Sequence, residues 1–132
     1  MEHKIKSIIQ KLDNGKIQFA DARITINDSE SFYFDDGFLR GFSNNIESIS
    51  VGVRIMIKGC WGFAGSDDLS DASIDRMIKT AIDNAESGAL FKNEVESFPA
   101  LPATKAEYIF TPEIDPFKMD KEEKLDYLGK LA

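Results

Sequence analysis

The chain predicts an α+β fold: a two-layer sandwich in which a mostly antiparallel, curved sheet of five to six strands carries helices packed on one face. Three observations lead there. Apolar and polar residues alternate with a period of two in several short segments between residues 20 and 64. Apolar residues recur at helical spacing near the amino terminus and again over 74–85. The segments between are joined by short connections, which favour antiparallel neighbours over βαβ crossovers.

Ile5, Ile8, Ile9 and Leu12 fall on one face of a short helix, and Asn14-Gly15 supplies its stop. Ala20, Ala22, Ile24 and Ile26 alternate with Asp21, Arg23 and Thr25 as a first strand with one buried and one wet face. Asn27-Asp28-Ser29 reads as a turn. Phe32 and Phe34 mark a second strand, and Asp36-Gly37 the hairpin that returns the chain as a third over 38–43. Asn44-Asn45 is the next turn. In the fourth strand Ile49, Val51, Val53, Ile55 and Ile57 point one way, while Ser50, Gly52, Arg54, Met56 and Lys58 point to water. Lys58-Gly59 turns into a fifth strand, Cys60 to Ala64. Ser70 is the N-cap of the main helix, with Asp71 and Asp75 at the positive end of its dipole and Gly88 at its end. Residues 89–105, with Pro99 and Pro102, read as an extended connection, and Ala106 to Phe110 as a sixth strand. Asp120 and Glu123 open a last helix carrying Leu125, Leu128 and Leu131. Its apolar spacing runs into Ala132 without a stop signal, the pattern of a truncated chain.

Composition narrows the function classes. A chain of 132 residues, 42% hydrophobic and 30% charged, is long enough for one domain with a true core. Net charge is -7 and no basic stripe occurs, so direct nucleic-acid binding is not expected. No apolar run approaches the roughly 20 residues that span a bilayer, and no secretory signal opens the chain. One cysteine, Cys60, excludes an internal disulfide and fits a reducing cytoplasm.

Catalytic candidates are few. Zinc takes three or four Cys, His or carboxylate ligands, and the chain has one histidine, His3, in an end that frays. Cys60 has no histidine to activate it and reads as a small buried residue. The pairs Asp35-Asp36 and Asp67-Asp68 sit at turns, where aspartate is turn chemistry rather than an acid/base pair. The glycine-dense run from Gly59 to Gly65 lacks the Lys-Ser/Thr ending of a phosphate loop. The chain alone is not expected to be catalytic.

Ala20-Asp21-Ala22-Arg23, Asp36-Gly37-Phe38-Leu39, Ser50-Val51-Gly52-Val53-Arg54, Trp61-Gly62-Phe63-Ala64, Asp68-Leu69-Ser70 and Ile114-Asp115-Pro116-Phe117 occur in this order and spacing. Together they resemble the N-terminal domain of the TldD/PmbA family, known as modulators of DNA gyrase or zinc-dependent metallopeptidases. Ser50 stands where many members have glycine. The resemblance implies residues 1–111 as the N-terminal α+β domain and 112–132 as the connection and helix leading to a C-terminal domain. It implies zinc in that C-terminal domain, on a His-Glu-x-x-x-His helix and a distal Cys, with no cofactor in this part. The implied partners are the chain's own C-terminal domain, a homologous subunit in a homo- or heterodimer, and unfolded peptide; nucleic acid and membrane are not among them. The acidic charge gives the gyrase label no support.

Within such a domain the expected tasks are to wall the cavity, dock partner domains and contact a substrate strand by addition to a sheet edge. Arg54 and Met56 on the wet face, with Asp36, Gly37 and Trp61 at nearby loops, are the candidate contacts. For Arg54 the competing role is a surface ion pair with Asp21 or Glu47. A stand-alone interaction or regulatory module without enzyme activity is the alternative reading.

Overall fold

A computed structural model describes residues 1–92, 99, 102 and 104–131. In chain order these form α1 (Glu2–Leu12), β1 (Phe19–Asp35), β2 (Phe38–Ile57), β3 (Cys60–Ser66), α2 (Asp71–Ala89), a 3-10 turn (Pro116–Lys118) and α3 (Lys121–Gly129). The fold is α+β, with one open antiparallel sheet in the order β1-β2-β3.

The five to six strands expected from the sequence are therefore corrected to three among the described residues. The segments expected over 20–26 and 31–35 are one strand, β1, and those over 38–43 and 49–57 are one strand, β2. Asn27-Asp28-Ser29 and Asn44-Asn45 favour turns locally, but both lie within continuous strands. In β2 the irregularity is confined to Glu47, whose φ of 55° is in the left-handed region. Ala106 to Phe110 carries no strand. Tyr108 there is 97% exposed, so its strand-forming side chains have no sheet to join. The connection expected over 89–105 falls largely outside the described residues.

Both hairpin turns fall at the glycine-containing dipeptides, Asp36-Gly37 and Lys58-Gly59. Asp36 and Gly37 have φ of 47° and 77°, and Lys58 and Gly59 have 49° and 73°. Two consecutive positive φ values define a type I′ turn, whose twist matches the strands it joins.

Contacts divide the chain into two compact units, residues 1–27 with 47–100 and residues 28–46 with 101–132. In the first unit the core face of β2 presents Val51, Val53, Ile55 and Ile57 to Ile74, Met77, Ile78, Ala81 and Ala85 of α2 and to Ile8 and Leu12 of α1. Ala20, Ala22 and Ile24 of β1 border this cluster. Ile9, expected on the buried face of α1, is 41% exposed. Ser70 caps α2 by accepting a hydrogen bond from the Ser73 amide at 3.3 Å. The Asp68 carboxylate accepts from the Ser70 amide at 2.7 Å and from its hydroxyl at 2.8 Å, so Asp67-Asp68 is turn chemistry as expected.

α2 lies unusually close to β3. A Cβ built on Gly62 would stand 1.9 Å from the Ala81 carbonyl oxygen and 2.9 Å from the Ala85 nitrogen. The fully buried Ala81 and Ala85 make the facing helix surface equally thin.

Ion pairs join α1 to α2: Lys4 meets Asp71 at 2.9 Å and Lys11 meets Asp75 at 2.6 Å. Hydrogen bonding and attraction from Lys4 hold the Asp71 carboxyl below the ordinary carboxylate range, and bonds from Ser70 do the same for Asp68. A depressed carboxylate contributes stability above its unfolded-state value, and this is lost as pH falls through the folded value. Lys11, paired with Asp75, is raised and contributes until pH rises through its folded value. Stability of the first unit should thus decline below about pH 4 and again above about pH 10. Asp71→Asn should flatten the acid limb, read as the change in urea midpoint between neutral and acid pH; an unchanged slope would refute the assignment.

In the second unit Glu30 of β1 and Lys124 of α3 form an ion pair whose side chains are only 20% and 10% exposed. Lys121 places its Nζ 3.7 Å from the centre of the Phe42 ring, and Phe32 and Phe42 pack with centroids 5.0 Å apart. Asp120 caps α3 by accepting from the Glu122 amide at 2.8 Å, and Asp115 accepts from Phe117 at 3.0 Å to open the 3-10 turn. Leu125 and Leu128 are half-buried while Leu131 is exposed beyond the helix. Phe38, Ile46, Ile109 and Phe110 are also largely exposed.

Candidate functional site

Antiparallel pairing of β2 with β3 fixes which side chains share the outer face. Arg54 lies opposite Phe63, Met56 opposite Trp61 and Gly52 opposite Gly65. Opposed residues point to the same side of a sheet, so these six form one surface, and the core residues Val53 and Ile55 point away from it. On β1, Phe19, Asp21 and Arg23 alternate with the core-facing Ala20, Ala22 and Ile24.

The centre of this surface is a fixed cation. Arg54 donates to the Asp21 carboxylate from Nε at 2.8 Å and also from a terminal nitrogen. Its guanidinium lies 5.1 Å from the centre of the Trp61 ring and 5.7 Å from that of Phe19. Phe19 and Trp61 meet edge to face at 5.6 Å, and Trp61 and Phe63 are 6.2 Å apart. The salt bridge and the two rings hold the Arg54 side chain in one place, and arginine stacks on aromatic faces more readily than lysine does. The ion pair with Asp21 is one of the two weighed for Arg54 from the sequence alone.

Beside this cluster lies an open groove of about 430 Å³, lined by Asp21 and Arg23 from β1, Gly52 to Arg54 from β2 and Phe63 to Gly65 from β3. Its floor is the Gly52–Gly65 pair. Arg23 is exposed and has no hydrogen-bond or ion-pair partner among the described residues.

Arg54 and Trp61 are thus brought together. Met56 is on their face but only 3% exposed, which corrects the expectation of a wet residue. Strict alternation predicts the side of the sheet, not its coverage, and the Met56 end of this face carries Phe19 and Trp61. Asp36 and Gly37 form the β1–β2 turn in the second unit. The sequence reading missed Phe19, Arg23 and Phe63. The signal was present: the same alternation that sends Asp21 outward sends Phe19 and Arg23 with it.

His3 is exposed on α1 and Cys60 half-buried at the start of β3. Among the described residues no three His, Cys, Asp or Glu side chains converge to hold a metal ion, so the donors present do not fit a zinc site. A second hollow of about 560 Å³, lined in part by Lys16, Lys58 and Glu86, holds no nucleophile paired with a base. No helix among the described residues is long and apolar enough to cross a membrane. The outer face presents an aromatic–cation cluster next to a groove with a backbone floor.

Residues 20–85 match the family model described as PmbA/TldA metallopeptidase domain 1. Over 110 residues the chain is 26% identical to a metalloprotease of Methanocaldococcus jannaschii, an alignment covering 83% of this chain and 24% of the relative. The chain therefore spans about a quarter of that relative's length.

Proposed function

The chain belongs to the PmbA/TldD metallopeptidase family, and from that premise we propose that it is the non-catalytic N-terminal domain of a zinc-dependent peptidase acting on unfolded peptides. The observation that carries this reading is the extent of the family match. It runs from the start of β1 to Ala85 in α2 and so takes in the whole three-stranded sheet and most of the helix packed on it. In this reading zinc belongs to a C-terminal domain, reached through residues 112–132, and the present domain walls the reaction cavity, docks its own C-terminal domain and a homologous subunit, and offers contacts to a substrate strand. The protein is cytoplasmic in the same reading. Two features support the docking and contact roles. Apolar residues of the second unit such as Phe38 (66% exposed) and Phe110 (81%) have little cover and are available to a docking partner. In the three-stranded sheet β1 and β3 are the two edge strands, the places where an extended peptide can add.

Metal analysis and a peptidase assay test the proposal. The 132-residue chain should bind no stoichiometric zinc and hydrolyse no unfolded peptide, whereas the endogenous polypeptide that contains it should do both, alone or with its partner subunit. One zinc held per 132-residue chain, or an endogenous product without peptidase activity in any pairing, would overturn it.

A further inference from the structure

We propose that the groove on the outer face of the sheet binds an acidic side chain of an extended peptide, with Arg23 as its counter-charge. This deepens the substrate-contact reading above and rests on it. Arg23 and Arg54 both line the groove, and Asp21 is the carboxylate there. Asp21 is committed to Arg54 through two donors, which leaves the Arg23 guanidinium as the uncompensated charge. In a chain of net charge -7, a cation left unpaired beside an open groove is a local reversal of sign. A carboxylate is the complementary group, and guanidinium binds it with two parallel hydrogen bonds.

The rest of the groove suits a passing chain rather than a chain end. It crosses all three strands and is open. With glycine at positions 52 and 65 its floor is backbone: a Cβ on Gly65 would stand 3.2 Å from the Val51 carbonyl oxygen, and one on Gly52 3.7 Å from that of Ala64. Phe63, 58% exposed opposite Arg54, offers an apolar wall to the residue next to the acidic one. The preferred ligand is thus an extended segment in which an Asp or Glu is followed closely by an apolar residue.

Trp61 is the sole tryptophan and lies 6.2 Å from Phe63, so its fluorescence reports on the groove. The probes are unstructured ten-residue peptides, acetylated and amidated, carrying two Glu-Leu pairs, with Gln-Leu and Lys-Leu counterparts. The glutamate peptide should bind about ten times more tightly than the glutamine one, equivalent to about 1.4 kcal/mol, and the lysine peptide more weakly still. Arg23→Gln should abolish that preference, Arg23→Lys should keep part of it, and neither should move the urea midpoint. Equal binding of all three peptides would overturn the acidic preference and leave a backbone-driven substrate contact standing. A glutamine peptide with a free C-terminus that matches the glutamate one would overturn it in favour of terminal carboxylates. No binding by any peptide would overturn both the preference and the contact role.

Discussion

Replacing Gly62 with alanine should cost more than about 3 kcal/mol of folding stability, above the usual range for an overpacked core. The added carbon would stand 1.9 Å from the Ala81 carbonyl oxygen, with the Ala85 nitrogen at 2.9 Å. Those atoms are backbone. No rotamer change can move them, and no truncation of a neighbouring side chain can make room. Either α2 shifts off β3, opening the cluster around Ile55 and Ile74, or the strand bends away. Gly52→Ala is the matched control on the next strand, since its Cβ meets only the Ala64 oxygen at 3.7 Å, an ordinary contact. That variant should stay within about 1 kcal/mol of the parent, because losing a strand glycine is mildly favourable. Urea unfolding followed by Trp61 fluorescence checks both. Similar midpoints for the two variants would show that the close approach of α2 and β3 does not matter to stability.

The second large effect lies in the other unit. Lys124→Met should destabilise it by about 2–3 kcal/mol, because the Glu30 carboxylate would lose its cation while little water can reach it. Glu30 keeps 20% exposure, which places the expected cost at or below the low end of the range for fully buried pairs. The double variant Glu30→Leu with Lys124→Met should recover most of the loss, since two apolar groups of similar size remove the unpaired charge altogether. Amide hydrogen exchange in α3 reads both variants. A single substitution costing less than about 0.5 kcal/mol would place the pair with ordinary surface salt bridges.

How much of this was legible in the sequence depends on which physical signal each feature uses. The type I′ turn at Asp36-Gly37 was readable because Asp-Gly is among the few dipeptides that accept two positive φ values, whereas at Lys58-Gly59 the glycine signalled a turn but lysine gave no sign of its type. The N-caps at Ser70 and Asp120 were readable because the side chain that opens the helix must accept a hydrogen bond from its first turn. Strand count was not. Asn27 and Asn44-Asn45 carry turn preference, but ladder hydrogen bonds along β1 and β2 outweigh it, and local composition does not report a partner strand. The reverse failure is Tyr108 to Phe110, where strand preference is high and no ladder exists for it to join. At the candidate site the pairing of Arg54 with Asp21 could be anticipated from alternation. Its ring contacts with Phe19 and Trp61 could not, because they depend on the register of three strands at once.

The division of the first unit into two separated stretches of chain also favours one order of assembly. β2 from Glu47, β3 and α2 follow one another without interruption, and their contacts close only short loops. α1 and the first half of β1 reach the same core only after residues 28–46 have been accommodated, a non-local closure that carries its entropy cost before any contact offsets it. The strand–turn–strand–helix run from 47 to 89 is therefore expected to form first, with high φ-values, and the amino-terminal helix to dock later, with low ones.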